Sequence, residues 1–274
     1  MLAASVFGLF GLIVGSFLNV IILRHGVRSI GGRSGCMSCG RQLLWYDMIP
    51  VLSWVLLRGR CRGCAGSISL QYPLVEAATG VLFASIGAVP FFGIFYKILF
   101  CIIAAILVCI TVYDFLHTII PDSWAYVFDA LAFLVMGPVF LVGQTPPLLY
   151  LLAGPLAALP LFALWLFSQG KWMGLGDAKL ALGIGWLLGP ALGLFAIFGA
   201  FVIGAIVSVG ILLPLPHITR ALYTSGITLR QKPAGGFTMK SEIPFGPFLI
   251  LSCIIIWFAT LYGIDPLQAF GLLP

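Results

Sequence analysis

Two aspartates stand out by the company they keep. Asp114 closes a long apolar run in Thr111-Val-Tyr-Asp-Phe-Leu-His-Thr-Ile-Ile-Pro-Asp122, and Asp177 opens another in Gly174-Leu-Gly-Asp-Ala-Lys179. A carboxylate within or at the edge of a bilayer needs a reason to be there. Two carboxylates a few ångströms apart in a partly desolvated site cannot both ionise, so their titrations split. One then takes a proton from water while the other, still protonated, polarises a carbonyl. That division of labour is what peptide hydrolysis by a pair of carboxylates requires. Gly174 and Gly176 remove side chains where an extended substrate backbone would approach Asp177, and Lys179 follows two residues later.

Plainer readings compete at each acid. Asp122, after Pro121, reads as the cap of the next helix, and Asp177 alone would serve as a cap too. Asp114 resists that reading, because it ends a span, where the helix dipole disfavours negative charge. Asp129, one or two turns into the fourth span, is either a third member of the site or a hydrogen-bonded packing residue, and packing is favoured. Glu76, in Gln71-Tyr-Pro-Leu-Val-Glu, sits at membrane depth, and a functional role and a pairing with a loop arginine both stay open. Pro244, Gly246 and Pro247 begin the last apolar run, where proline in a first helical turn is ordinary.

A second group lies in the long polar loop. Cys36, Cys39, Cys61 and Cys64 form two C-x-x-C pairs separated by 21 residues. Four thiolates so arranged close a tetrahedral shell around zinc, and Gly35, Gly40, Gly63 and Gly66 permit the tight turns each half needs. With four ligands and no open position, the metal would be structural, organising a loop too small for a large core of its own. Cys101, Cys109 and Cys253 lie in apolar runs and read as small core hydrophobes. No H-e-x-x-H pattern occurs and the histidines are scattered, which disfavours a membrane zinc protease.

The elements that must hold these groups are membrane helices. The chain has 274 residues, 61% hydrophobic and 8% charged, with a mean hydropathy of +1.15, outside the range of soluble domains. Its apolar runs are continuous rather than alternating with period two, which predicts an all-α polytopic bundle and not a barrel. About eight spans are expected, near residues 2–23, 72–90, 94–114, 123–143, 147–168, 178–190, 192–214 and 245–263. Met1 to Leu23 carries no charge and runs directly into Arg24, so it reads as a retained first helix. The expected organisation is a first transmembrane helix over 1–23, a cytoplasmic four-cysteine loop domain over 24–71, and a transmembrane bundle over 72–274.

Orientation follows from the basic residues. With the N-terminus outside, the loops 24–71, 115–122, 169–177 and 215–244 are cytoplasmic. Thirteen of the fourteen Lys and Arg then lie inside or at the inner ends, with Lys97 the exception. Asp114 and Asp177 both reach the cytoplasmic end of the bundle, 63 residues apart in sequence yet able to face each other. The net charge of +6 reports topology and contact with acidic lipid headgroups rather than nucleic-acid binding.

Gly15-Ser-Phe-Leu-Asn-Val20, the two C-x-x-C pairs with Trp45 to Trp54 and Arg58-Gly-Arg-Cys61 between them, Ile68 to Glu76, Asp114 to Asp122, Gly174 to Lys179 and Ile243 to Phe248 cover nearly every stretch that is not purely lipidic. Together they resemble the type IV prepilin peptidases, leader peptidases with N-methyltransferase activity. The resemblance implies a bifunctional enzyme of the bacterial cytoplasmic membrane. Such an enzyme removes the basic leader of type IV prepilins and pseudopilins at the cytoplasmic face, then methylates the new N-terminus with S-adenosylmethionine. It implies that Asp114 and Asp177 are catalytic. The Gly-x-Gly-Asp pattern is also similar to that of presenilins and signal peptide peptidases, and by that analogy Ile243 to Phe248 lies against the site and helps hold substrate. Met37 and Gln71 depart from the family's usual proline and arginine. No Rossmann-type glycine-rich turn is present, so S-adenosylmethionine rests on the resemblance.

Two other classes compete with an aspartic leader peptidase. One is a proton- or cation-coupled transporter that uses the intramembrane aspartates. The other is a non-enzymatic assembly factor with the zinc loop as its docking module. The four-cysteine loop fits a transporter poorly, and two aspartates at helix ends fit the peptidase best.

Overall fold

The computed structural model describes residues 2–27, 29, 31–142, 146–212 and 243–269. Most of the expected cytoplasmic loop 215–244 lies outside the described residues. Among those described, every extended element is helical, and the only β pairing is two isolated bridges, Gly35 with Gln42 and Arg60 with Ser67. Long apolar runs with no polar face to solvate the backbone satisfy their amides internally, which favours helix at every run.

The helices are α1 (Leu2–Arg24), α2 (Leu52–Leu56), α3 (Gln71–Ala88), α4 (Ile94–His117), α5 (Asp122–Val142), α6 (Pro147–Leu151), α7 (Ala153–Ser168), α8 (Leu175–Leu188), α9 (Pro190–Val207), α10 (Gly246–Leu261) and α11 (Pro266–Ala269). A helix occurs near each of the eight expected spans. Among the described residues, four stretches are long and apolar enough to cross a membrane: Leu2–Arg24, Ile94–His117, Leu148–Ser168 and Pro190–Gly210. The other four expected spans are not carried to that standard. α8 has 14 residues, about 21 Å of helix against a hydrocarbon core of about 30 Å. α10, with 16, is also short, and α3 carries Gln71 and Glu76 in its first two turns.

The chain divides into two compact units, Met1–Leu116 and His117–Pro274. In the first, α1 and α3 pack antiparallel along their lengths. Their backbones touch where α1 has glycine: a Cβ on Gly11 would fall 2.8 Å from the Cβ of Phe83, and one on Gly15 would fall 2.7 Å from the Cα of Glu76. Small residues at such crossings are how membrane helices gain dispersion contacts without a hydrophobic drive. The second unit is built around α8, which packs against α5, α7, α9 and α10. It buries Ala178, Leu180, Ala181, Ile184 and Leu187 together with Asp177.

Candidate active site and metal centre

In the first unit, the loop between α1 and α3 folds into two matching turns. Cys36 N–H donates to Arg41 O and Gly40 N–H to Cys36 O; Cys61 N–H donates to Gly66 O and Ala65 N–H to Cys61 O. Each turn is closed by its bridge, and each needs a left-handed residue four places after its first cysteine. Gly40 supplies φ +71° in one half, while Ala65 adopts φ +56° in the other. Of the four glycines expected to permit the turns, Gly40 alone takes that conformation.

The turns bring the four sulfurs within 4.8 Å of one another, with Cys36 Sγ and Cys64 Sγ 3.8 Å apart. Four thiolates bonded to zinc at about 2.3 Å sit about 3.8 Å from each other, so the donor set fits a tetrahedral metal and leaves no open position. As thiols the four compete. Backbone amides of Cys39 and Ser38 hold the Cys36 thiol down to about 6. The Gly66 amide favours the Cys64 thiolate, but the neighbouring Cys39, Cys61 and Cys36 sulfurs outweigh it and push Cys64 up to about 11. Beside the cluster, Arg62 pairs with Asp47 at 2.9 Å and covers the Tyr46 ring.

Glu76 finds its partner in this loop, and the partner is a backbone amide rather than an arginine. Val51 N–H donates to Glu76 Oε2 at 2.7 Å, and the Ser16 hydroxyl donates to the same carboxylate. One turn further along α1, Asn19 is fully buried, donates to Gly15 O and Tyr72 O, and accepts from Gln71. The sequence shows both segments of this polar seam but not that they meet. A lone asparagine in an otherwise apolar first helix was its signal.

Asp114 lies in the last turn of α4 and is 4% exposed. Its neighbour Tyr113 meets the His25 ring edge-on, centroids 5.3 Å apart, so this turn sits by the Arg24 end of α1.

In the second unit, Asp177 lies in the first turn of α8 and is 8% exposed. Gly174 is the N-cap, with extended backbone, and among the described residues only the Asp177 carboxylate and its own turn approach it. Gly176 is different: a Cβ there would fall 3.0 Å from Ile120 Cβ, so packing by itself explains that glycine. Asp122 is the first residue of α5, where negative charge suits the dipole, and it accepts from Lys179 Nζ at 2.7 Å. Asp129 is buried against Gly183 of α8, with Oδ1 unpartnered among the described residues. Pro244 precedes α10; Gly246 and Pro247 form its buried first turn, and the Phe245 ring lies 4.8 Å from that of Phe201 on α9.

Residues 9–89 match the bacterial peptidase A24 N-terminal domain and residues 101–209 the type IV leader peptidase family. The prepilin leader peptidase/N-methyltransferase of Aeromonas hydrophila is 30% identical over 93% of this chain and 89% of its own. That of Legionella pneumophila is 32% identical over 92% and 90%. That of Myxococcus xanthus (strain DK1622) is 45% identical over 41% of this chain, a stretch spanning 34% of the Myxococcus protein. No solved structure matches significantly. With both halves matched in order and full-length relatives at this identity, the chain belongs to the type IV leader peptidase family.

Proposed function

We propose that the chain cleaves the leader of type IV prepilins or pseudopilins by aspartic chemistry, with Asp114 and Asp177 as the two catalytic carboxylates. The observation that carries this is the pair itself. Each is an acid more than nine-tenths buried at the end of a helix, in a family whose relatives bear the name prepilin leader peptidase. One carboxylate takes the proton of an attacking water. The other, protonated, hydrogen-bonds the scissile carbonyl and gives its proton to the leaving amine. Gly174 leaves the approach to Asp177 open to substrate backbone, and Lys179 adds a positive charge two residues away.

The proposed setting is the bacterial cytoplasmic membrane, crossed about eight times, with the site at the cytoplasmic face. Thirteen of fourteen basic residues fall on that side in the expected topology. The four-cysteine loop, over 24–71, is proposed to hold a structural zinc through Cys36, Cys39, Cys61 and Cys64, which fixes the fold of the loop and supplies no catalysis. N-methylation of the new N-terminus with S-adenosylmethionine rests on the relatives' names. Among the described residues no strand feeds a helix through a glycine-rich turn of the nucleotide-binding kind, and no residue is assigned to that cofactor. The transport reading draws no support from the relatives.

The test is to incubate the purified chain with a prepilin and methyl-labelled S-adenosylmethionine. The expected result is release of the leader and label on the new N-terminus. Intact prepilin would overturn the peptidase, and unlabelled mature pilin would overturn the methyltransferase.

A further inference from the structure

The segment between the two cysteine turns is unlike the rest of its loop. Residues 43–57 read Leu-Leu-Trp-Tyr-Asp-Met-Ile-Pro-Val-Leu-Ser-Trp-Val-Leu-Leu, with Asp47 the one charged residue. Its apolar side chains point outward: Leu44, Trp45, Met48, Leu52, Val55 and Leu56 are exposed, Trp45 at 75% and Leu56 at 72%. Contiguous apolar surface of this kind marks a partner.

The depth of the segment identifies the partner. Glu76 packs beside Gly15, which lies nine residues short of Arg24, about 13 Å down α1 at 1.5 Å per residue. A glutamate reaches about 5 Å from its Cα, and the bond to Val51 N–H adds 2.7 Å. The Val51 amide therefore lies about 5 Å or more inside the Arg24 end of a helix that is apolar to Leu23. Val51 is also where the chain reverses. Its backbone takes φ +60°, ψ −50°, a conformation a β-branched residue adopts only when its surroundings hold it there. The 3₁₀ turn Trp45–Met48 precedes it and α2 follows. The result is a short helical hook whose tip, Pro50-Val51, is tied to α3 below the end of α1. At the two mouths of the hook Arg41, Arg58 and Arg60 are exposed.

We propose that residues 44–56 are an interfacial anchor lying in the bilayer leaflet at the Arg24 end of α1. Its apolar side chains sit among the acyl chains, and Arg41, Arg58 and Arg60 sit on lipid phosphates. An apolar face with an indole at the headgroup level and flanking cations is the pattern that holds a helix in the plane of an anionic leaflet. The metal-binding turns on either side are thereby held flat against the membrane.

Tryptophan quenching tests this with the full-length chain in vesicles of phosphatidylcholine and phosphatidylglycerol. The Trp45 signal is the difference between the unmodified protein and Trp45→Phe; Leu56→Trp provides a second reporter if that variant fails to fold. Lipids brominated near the top of the acyl chains are expected to remove most of the signal, and aqueous iodide little of it. Quenching by iodide without quenching by bromolipid would overturn the proposal by placing the hook in water. Protection from both would overturn it equally, since protein and not lipid would then cover the face.

Discussion

Lys179 Nζ donates to Asp122 Oδ1 across 2.7 Å, joining the first turn of α8 to the first residue of α5. The same ammonium lies 5.2 Å from the centre of the Tyr126 ring. Asp177 belongs to that first turn of α8, so the pair helps set where the proposed catalytic acid stands. Yet the Asp122 side chain is 62% exposed, and exposed pairs stabilise by only about 0–1 kcal/mol. Asp122→Asn is therefore expected to lower stability by less than about 1 kcal/mol, read by thermal unfolding in detergent, and to reduce leader cleavage several-fold at most. A loss as deep as that of the proposed dyad would make Asp122 part of the chemistry.

Asp114→Asn and Asp177→Asn should each lower cleavage by about 10²–10⁴-fold, because an amide neither takes the water's proton nor donates the one the leaving group needs. Membrane insertion and zinc content should be unchanged, since neither residue belongs to the loop. The rate of leader release from a prepilin checks this. Retained cleavage in either variant rules out the dyad.

The metal centre should respond to acid. Binding four thiolates displaces the protons the sulfurs would otherwise hold. Cys64, pushed up to about 11, carries one at neutral pH, whereas Cys36, held down to about 6, largely does not. Protons compete with the metal, so affinity rises with pH and falls on acidification, most steeply below about 6, where Cys36 also takes a proton. Elemental analysis after dialysis across that range should find zinc retained at neutral pH and lost in acid. Cys36→Ser or Cys61→Ser should abolish it at any pH.

The two cysteine turns make a matched pair of backbone predictions. Gly40 and Ala65 occupy equivalent left-handed positions. Gly40→Ala should weaken the loop and Ala65→Gly strengthen it, each by about 1 kcal/mol. Proteolysis of the 24–71 loop in the folded chain would rank the three proteins in that order.

An added methyl should not be tolerated at a glycine in the α1–α3 contact and should be harmless at Gly93, just before α4. Gly15→Ala would press a methyl to 2.7 Å from the Glu76 Cα, whereas a Cβ on Gly93 would meet nothing within 4 Å among the described residues. Overpacking costs about 1–3 kcal/mol, so Gly15→Ala should lower the unfolding temperature clearly. Gly93→Ala should change stability by no more than about 0.5 kcal/mol. The Gly15 variant should also loosen the Val51 anchor, because Glu76 would be displaced.

By itself the sequence determined that the chain is helical and lipidic, that Cys36, Cys39, Cys61 and Cys64 form one donor set, and that Asp114 and Asp177 stand at helix ends. Those features are local. Apolar run length, C-x-x-C spacing and an acid next to a helix boundary are legible from neighbours in the chain. What Glu76 binds was not legible, because its partner is the amide of Val51, 25 residues away and chemically identical to every other amide. The glycines divided in the same way. Gly176 gives way to Ile120, Gly174 faces no such neighbour among the described residues, and the second cysteine turn uses Ala65 in place of a glycine. Sequence pattern records which residues are small or charged. Which surface each must meet is decided only when separate helices pack, since that depends on distances the chain order does not contain.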